Sequence, residues 1–398
     1  MSDDAKQRPG SRPSTRLVHT GRGHLGGDTS PVNPPIARTS TVLYRNTGVR
    51  TAIAARKAAG ERVWNYGTAG SAVSFALEDA ITEIEGGART MLFGSGLAAV
   101  AHSLLAILKP GDHVLFAETI YQPARTLATD YLTPRGIDCE FYTGGHAEVA
   151  TRIRPQTRMV YLDNPGSIVF DIQDMPALAA VCKGRGRDIV ITVDNTWGAP
   201  GLYRPLTLGA DISIVAVTKY IAGHSDLLMG SVTANTRCAD LLYRAAGILG
   251  QVVSPDDAYT ALRGLRTANA RLKMQAANAR TVIDWLQAEP EVERILYPAL
   301  ETDPGYALWK RDFHGANSLF SVAFKPSITA ADANRFVDAL RMFGIGASWG
   351  GYESLALTYP PERLKGWHGG ALVRLHVGLE DPADVIADLE LGFRALRS

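Results

Sequence analysis

Three short segments of this sequence place reactive side chains where an apolar strand gives way to a turn. In FGSGLAAV (93–100) a strand runs into a Gly-Ser-Gly turn and then a helix. Unpaired backbone N–H groups and the positive end of a helix dipole would meet there, which suits a phosphate; an ordinary glycine-containing turn is the alternative. In IVITVDNTWGAP (189–200), Asp194 follows an apolar strand near the carboxyl end, where open α/β sheets bind ligands. It could cap the next segment, or hold a protonated pyridine nitrogen by a charge-assisted hydrogen bond. In DISIVAVTKYIAGHSDLLMG (211–230), Lys219 closes the most apolar strand, between Thr218 and Tyr220. Burial there would lower its pKa and free the amine for a Schiff base; a lysine reaching a surface carboxylate would do no chemistry. A phosphate cradle, a carboxylate and a strand-end lysine, on successive units of one sheet, are the parts needed to hold pyridoxal 5'-phosphate.

The elements that must position them follow from periodicity. Apolar runs at 90–93, 113–117, 158–162, 189–193 and 211–217 alternate with helix-length segments. That pattern predicts an α/β fold with a mostly parallel sheet covered by helices on both faces. Val73, Leu77, Ala80 and Ile84 predict a helix stopped by Gly86-Gly87, and Gly96 to Leu108 predicts another. Ser254-Pro255-Asp256-Asp257 opens a long helix, bent near Gly264 and reaching about Ala288. Strands at 318–324 and 372–377, with helices at 330–342 and 381–396, predict a smaller C-terminal α/β domain. The first 70 residues, rich in Gly, Pro and Arg, predict an extended N-terminal arm with a short helix that buries itself against a partner subunit. The chain therefore divides into an arm (1–70), a cofactor-binding domain (71–260) and a C-terminal domain (261–398).

Composition narrows the class. Lys+Arg (41) and Asp+Glu (40) nearly cancel, so there is no electrostatic footprint for nucleic acid or an anionic membrane. Three scattered cysteines are too few for a disulfide framework or a metal cluster and suit a reducing compartment. The opening segment is polar, without the apolar stretch of a signal peptide, and no apolar run approaches a membrane span. The expected location is the cytoplasm.

The stretch VDNTWGAPGLYRPLTLGADISIVAVTKYIAGHSDLLMG (193–230) closely resembles the cofactor-lysine region of the Cys/Met-metabolism pyridoxal-phosphate enzymes. VNPPIARTSTVLY (32–44), IEGG (84–87), GDHVLFAETIYQPAR (111–125), LDNPGSIVFDIQDMPAL (162–178), GLRTANARL (264–272), ASWGGYESL (347–355) and LVRLHVGLEDPADVIADLE (372–390) fall in that family's order. The resemblance implies the type I pyridoxal-phosphate fold, with Lys219 as the Schiff-base lysine and Asp194 as the partner of the pyridine nitrogen. It implies that Gly96 and Leu97 amides hold the phosphate, with the Thr218 hydroxyl, and that Tyr121 stacks on the ring near the incoming amine. Arg374 would pair bidentately with the substrate α-carboxylate, supported by Ser348 and the SWGG loop (348–351). Tyr66 would cross to a neighbouring subunit's phosphate, which implies a homotetramer of dimers with shared active sites. Without the resemblance, Tyr121 reads equally as a packing residue, and Arg374 as the partner of a neighbouring acid.

The reaction implied is β-elimination of L-cystathionine to homocysteine, pyruvate and ammonia. Another trans-sulfuration reaction (γ-synthase, γ-lyase or cysteine-S-conjugate β-lyase), or a non-catalytic oligomer of the same fold, is the alternative. One block departs from the pattern. Where members of the family carry Tyr-Gly-Arg-Arg-Gly, this chain has Tyr66-Gly67-Thr68-Ala69-Gly70. Cofactor affinity is expected to fall somewhat, unless an arginine of the arm compensates, and substrate preference is affected through a lost contact to a distal carboxylate.

Overall fold

The computed structural model describes residues 12–21, 29, 31–184, 188–361 and 367–398. Parts of the predicted arm, including residues 1–11 and 22–28, lie outside the described residues. Alternation along the first strand sends Met91 and Phe93 into one apolar core and Leu92 into the other. A sheet whose faces are both apolar has to be covered on both.

Strands β1 (Arg89–Phe93), β2 (His113–Ala117), β3 (Asp138–Tyr142), β4 (Thr157–Asp163), β5 (Val190–Asp194), β6 (Ile212–Val215) and β7 (Gly230–Ala234) make that sheet. Their order is β1-β7-β6-β5-β4-β2-β3, and β7 runs antiparallel to both its neighbours. Helices α1 (Pro13–His19), α2 (Thr47–Ala58) and α3 (Ala72–Glu85) precede it. Within it come α4 (Gly96–Ile107), α5 (Gln122–Thr126), α6 (Gly145–Arg152) and α7 (Met175–Lys183); α8 (Thr236–Ile248) and α9 (Pro255–Leu286) follow. Helix α3 starts at Ser71, whose hydroxyl accepts the Ser74 N–H, and ends where Gly86 turns left-handed. The core on its side of the sheet joins Leu77 and Ile81 of α3 to Leu262 and Leu265 of α9 and Leu17 of α1.

The C-terminal part has its own sheet, ordered β10-β11-β12-β9-β8. Its strands are β8 (Val292–Leu296), β9 (Leu319–Phe324), β10 (Gly344–Ile345), β11 (Leu355–Tyr359) and β12 (Leu372–His376). Helices α10 (Tyr306–Asp312), α11 (Ala330–Asp338) and α12 (Pro382–Arg397) accompany it. Phe324, Phe336 and Phe393 meet edge to face between this sheet and its helices.

Two boundaries differ from the sequence reading for identifiable reasons. The strand expected over 211–217 ends at Val215, because the Ala216 N–H turns to the Thr196 hydroxyl at 2.9 Å. Lys219 therefore stands on the turn beyond β6, four residues past its end. The helix expected to reach 342 ends at Asp338; beyond it the N–H groups of Arg341, Met342 and Phe343 all donate to the Asp388 carboxylate on α12.

Candidate active site

The carboxyl ends of β4, β5 and β6, the start of α4 and one loop of the C-terminal part enclose a cleft of about 240 Å³. Each wall has a local cause. At α4, Ser95 is the N-cap and its hydroxyl accepts the Ala98 N–H, so the first amides of the helix, at Gly96 and Leu97, border the cleft without an intrahelical acceptor. A side chain at Gly96 would bring its Cβ within 2.8 Å of the Ala216 Cβ; only glycine lets α4 start this close to the lysine turn.

Asp194 is the last residue of β5. Its Oδ1 accepts the Thr196 N–H at 2.9 Å and the Thr196 hydroxyl at 2.5 Å. The same hydroxyl accepts the Ala216 N–H, which ties the aspartate turn to the lysine turn. Burial raises the Asp194 pKa, and Thr196 and then Lys219 oppose the rise. On the opposite face of the strand Asn195 donates to Glu85, itself buried and pushed up to about 7 by desolvation.

Lys219 Nζ donates to Ser348 Oγ at 2.8 Å and stands 5.2 Å from the centre of the Trp349 ring. Desolvation first, and then the positive charge of Arg374, lower its pKa to about 8, with Asp194 pulling the other way. Arg374, 8% exposed on β12, donates from Nη2 to the Ala347 carbonyl at 2.9 Å. Among the described residues no carboxylate forms an ion pair with it, and burial lowers its pKa. A cationic fork lining a cleft without an acid partner is suited to a ligand's carboxylate.

The loop 347–351 is fixed from below. Gly350 is left-handed (φ +82°), and a Cβ there would lie 2.9 Å from the Tyr220 nitrogen, so its backbone sits directly on the lysine turn. Through Nε2 the His376 ring meets the Gly350 N–H at 3.1 Å and the Gly351 carbonyl at 3.2 Å, and through Nδ1 it meets Ser318 Oγ at 3.0 Å. Burial keeps this ring neutral, with its pKa lowered to about 4.

The structure thus brings Gly96, Leu97, Tyr121, Asp194, Thr218, Lys219 and Arg374 to one cleft, with Ser348 on the lysine amine. Thr218 lines it while its hydroxyl bridges the Met229 N–H and carbonyl, pinning the turn to β7. Tyr121 is half-exposed at the mouth, its phenol pKa raised by burial. Tyr66 is not brought there: it pairs with Thr41, and Thr68 and Ala69 border a second hollow with Lys57 and Arg244. Sequence reasoning missed Asp163 and Trp197, both in the lining, which Trp349 of the ASWGGYESL block shares. The signal for Asp163 was available, since RMVYL runs into an aspartate as IVITV does.

The donor set fits pyridoxal phosphate. It offers free amides at a helix start for the phosphate, a buried carboxylate for the ring nitrogen and a lysine of lowered pKa for the aldehyde. The family model described as Cys/Met metabolism PLP-dependent enzyme matches residues 14–394. The chain is 45% identical over 383 residues to a cystathionine beta-lyase of Bordetella avium, covering 94% of this chain and 96% of that one. It is 38% identical over 390 residues to cystathionine beta-lyase MetC of Escherichia coli K12, covering 95% and 97%. The crystal structure of metB from Corynebacterium glutamicum superimposes with a TM-score of 0.87 at 29% identity, covering 97% of this chain and 99% of that one.

Proposed function

This chain belongs to the Cys/Met metabolism PLP-dependent enzymes, and from that premise we propose that it cleaves the Cβ–S bond of L-cystathionine. Water is consumed, and homocysteine, pyruvate and ammonia are released. The observation that carries the reading is the Lys219 amine, depressed to about 8 and held by Ser348 between the Arg374 fork and the Asp194 carboxylate. Relatives named cystathionine beta-lyase, matched over nearly their full length, support the choice of substrate.

Bound pyridoxal phosphate supplies an aldehyde that condenses with amines and a ring that accepts the electron pair left at Cα. The chain's own residues do the rest. Amides of Gly96 and Leu97 hold the phosphate, with the Thr218 hydroxyl turning its proton to it from the Met229 carbonyl. Asp194 holds the ring-nitrogen proton. Arg374 grips the α-carboxylate through its planar fork, which fixes Cα relative to Lys219. The Lys219 amine, neutral in part at physiological pH, takes the α-proton and returns a proton to the leaving sulfur. Tyr121, its phenol kept protonated, assists at the amino group.

We propose a homotetramer in the cytoplasm, with Tyr66 and Thr68 of one subunit serving the neighbour's phosphate. Exposed apolar side chains on the arm and on α8 support assembly, and three free cysteines support the compartment. No helix among the described residues is long and apolar enough to cross a membrane. Lys57 and Arg244, in the hollow with Thr68, are candidates to supply the charge of the arginines absent there. We retain the division at 70 and 260; two separate sheets support it, although residue 260 lies inside α9.

Incubation with L-cystathionine tests the reading. Pyruvate and homocysteine are expected; 2-oxobutyrate would assign γ-elimination instead. Lys219→Ala is expected to lose turnover together with the borohydride-reducible visible band, and a parent with no such band would leave a non-catalytic oligomer.

A further inference from the structure

Asp163 and Asp194 end adjacent parallel strands and are register partners, as are Tyr161 and Thr192 two residues earlier. Alternation puts all four side chains on one face of the sheet, and with neighbouring strands about 5 Å apart the two carboxyls lie side by side at its edge. Their surroundings differ. Asp194 receives two hydrogen bonds from Thr196 and the attraction of Lys219. Asp163, 7% exposed, receives one, from the Tyr121 N–H to Oδ2 at 2.8 Å. Its Oδ1 is buried and unpartnered although it borders the cleft, and beneath it Tyr161 Oη and Thr192 Oγ1 are buried and unpartnered too.

We propose that Asp163 is a positioning residue for the cofactor: the protonated member of a carboxyl pair whose single negative charge rests on Asp194, facing the ring nitrogen. Two carboxylates at this separation in a buried site do not both ionise. The proton belongs on the member with fewer donors and an idle oxygen. The surroundings of Asp163 agree: burial most of all, then Asp194 from β5 and Asp171 from the following loop, disfavour its charge, and the Tyr121 amide is a single opposing donor. The pair tells the ring nitrogen that it meets one charge, while the neutral acid supports the Tyr121 backbone from beneath.

The inference rests on the cofactor reading, and the two fail differently. Without the cofactor the parent holoenzyme has no visible band; with the cofactor but without the acid pair the band remains and the following comparison changes. Asp163→Asn reproduces the shape and neutrality of a carboxylic acid. The holoenzyme variant is expected to lose one carboxylic-acid C=O band from the neutral-pH infrared spectrum. Its visible band should titrate at the parent's midpoint. If no acid band is lost, or the midpoint moves by about one pH unit or more, Asp163 carries charge and the proposal is wrong. Asp163→Ser, a neutral variant with a hydroxyl, takes the same test if the asparagine variant does not fold.

Discussion

The Lys219 ammonium is pulled in two directions: burial and Arg374 favour loss of its proton, and Asp194 favours its retention. The sign of the sum sets a pH dependence. With the pKa lowered to about 8, the free amine is the minor form at neutral pH and the major form above 8. The rate at which apoenzyme captures pyridoxal phosphate, followed as growth of the visible band, is therefore expected to rise with pH through about 8 and then level off. A rate still climbing toward 10.5 would mean an unperturbed lysine. Arg374 has the Ala347 carbonyl as its anchor and its planar fork for the substrate. Arg374→Lys keeps the charge and loses the fork, so kcat/KM is expected to fall by about 10- to 150-fold, from the ~1.5–3 kcal/mol of a charged hydrogen bond. Lys219 and Asp194 were legible because a charged group at the end of an apolar run needs an explanation, whereas Arg374, inside the strand Leu372–His376, was legible only through the family resemblance. Asp163 also ends an apolar run and could have been found the same way; what was not legible is its partnership with Asp194, because pairing across strands is not written in either strand alone.

At the scale of elements, apolar runs located β1, β2, β4, β5 and β6, and cap residues located α3, α4 and α9. The antiparallel strand β7, Gly-Ser-Val-Thr-Ala, carries small and polar side chains that give no run to read; the sheet selects it by backbone pairing on both sides. Element ends were misread where a distant side chain took over backbone groups, as Thr196 does after β6 and Asp388 after α11. The latter makes a measurable claim. Asp388→Ala strands three backbone N–H groups beside α12 and is expected to cost about 3 kcal/mol of unfolding free energy in urea, with the cofactor band of the folded protein unchanged. A loss below about 0.5 kcal/mol would show those amides content with water.

For the whole molecule, two groups of large apolar side chains left outside stand out among the described residues. Leu43 is 91% exposed and Val32 68% on the arm, and Ile248 is 85% exposed, followed by Leu249 and Val252, at the end of α8. Patches of this kind mark contact surfaces on soluble proteins. Ile248→Glu is expected to shift the sedimentation of the holoenzyme to a smaller species, with its circular dichroism unchanged; an unaltered mass would remove α8 from the interface. Tyr66, half-exposed and away from its own cleft, is expected to matter to a neighbour, so the assembly mutant should bind cofactor more weakly.

The loop that supports Lys219 is gripped almost wholly by its main chain: the Ala347 carbonyl by Arg374, the Gly350 amide by His376 and the Gly351 carbonyl by Gln275. Such a grip is indifferent to side-chain identity. Evolution can therefore exchange Trp349, which faces the cleft, and so retune which amino acids are accepted while the lysine's support survives; the glycine at 350, fixed by its stereochemistry, has no such latitude.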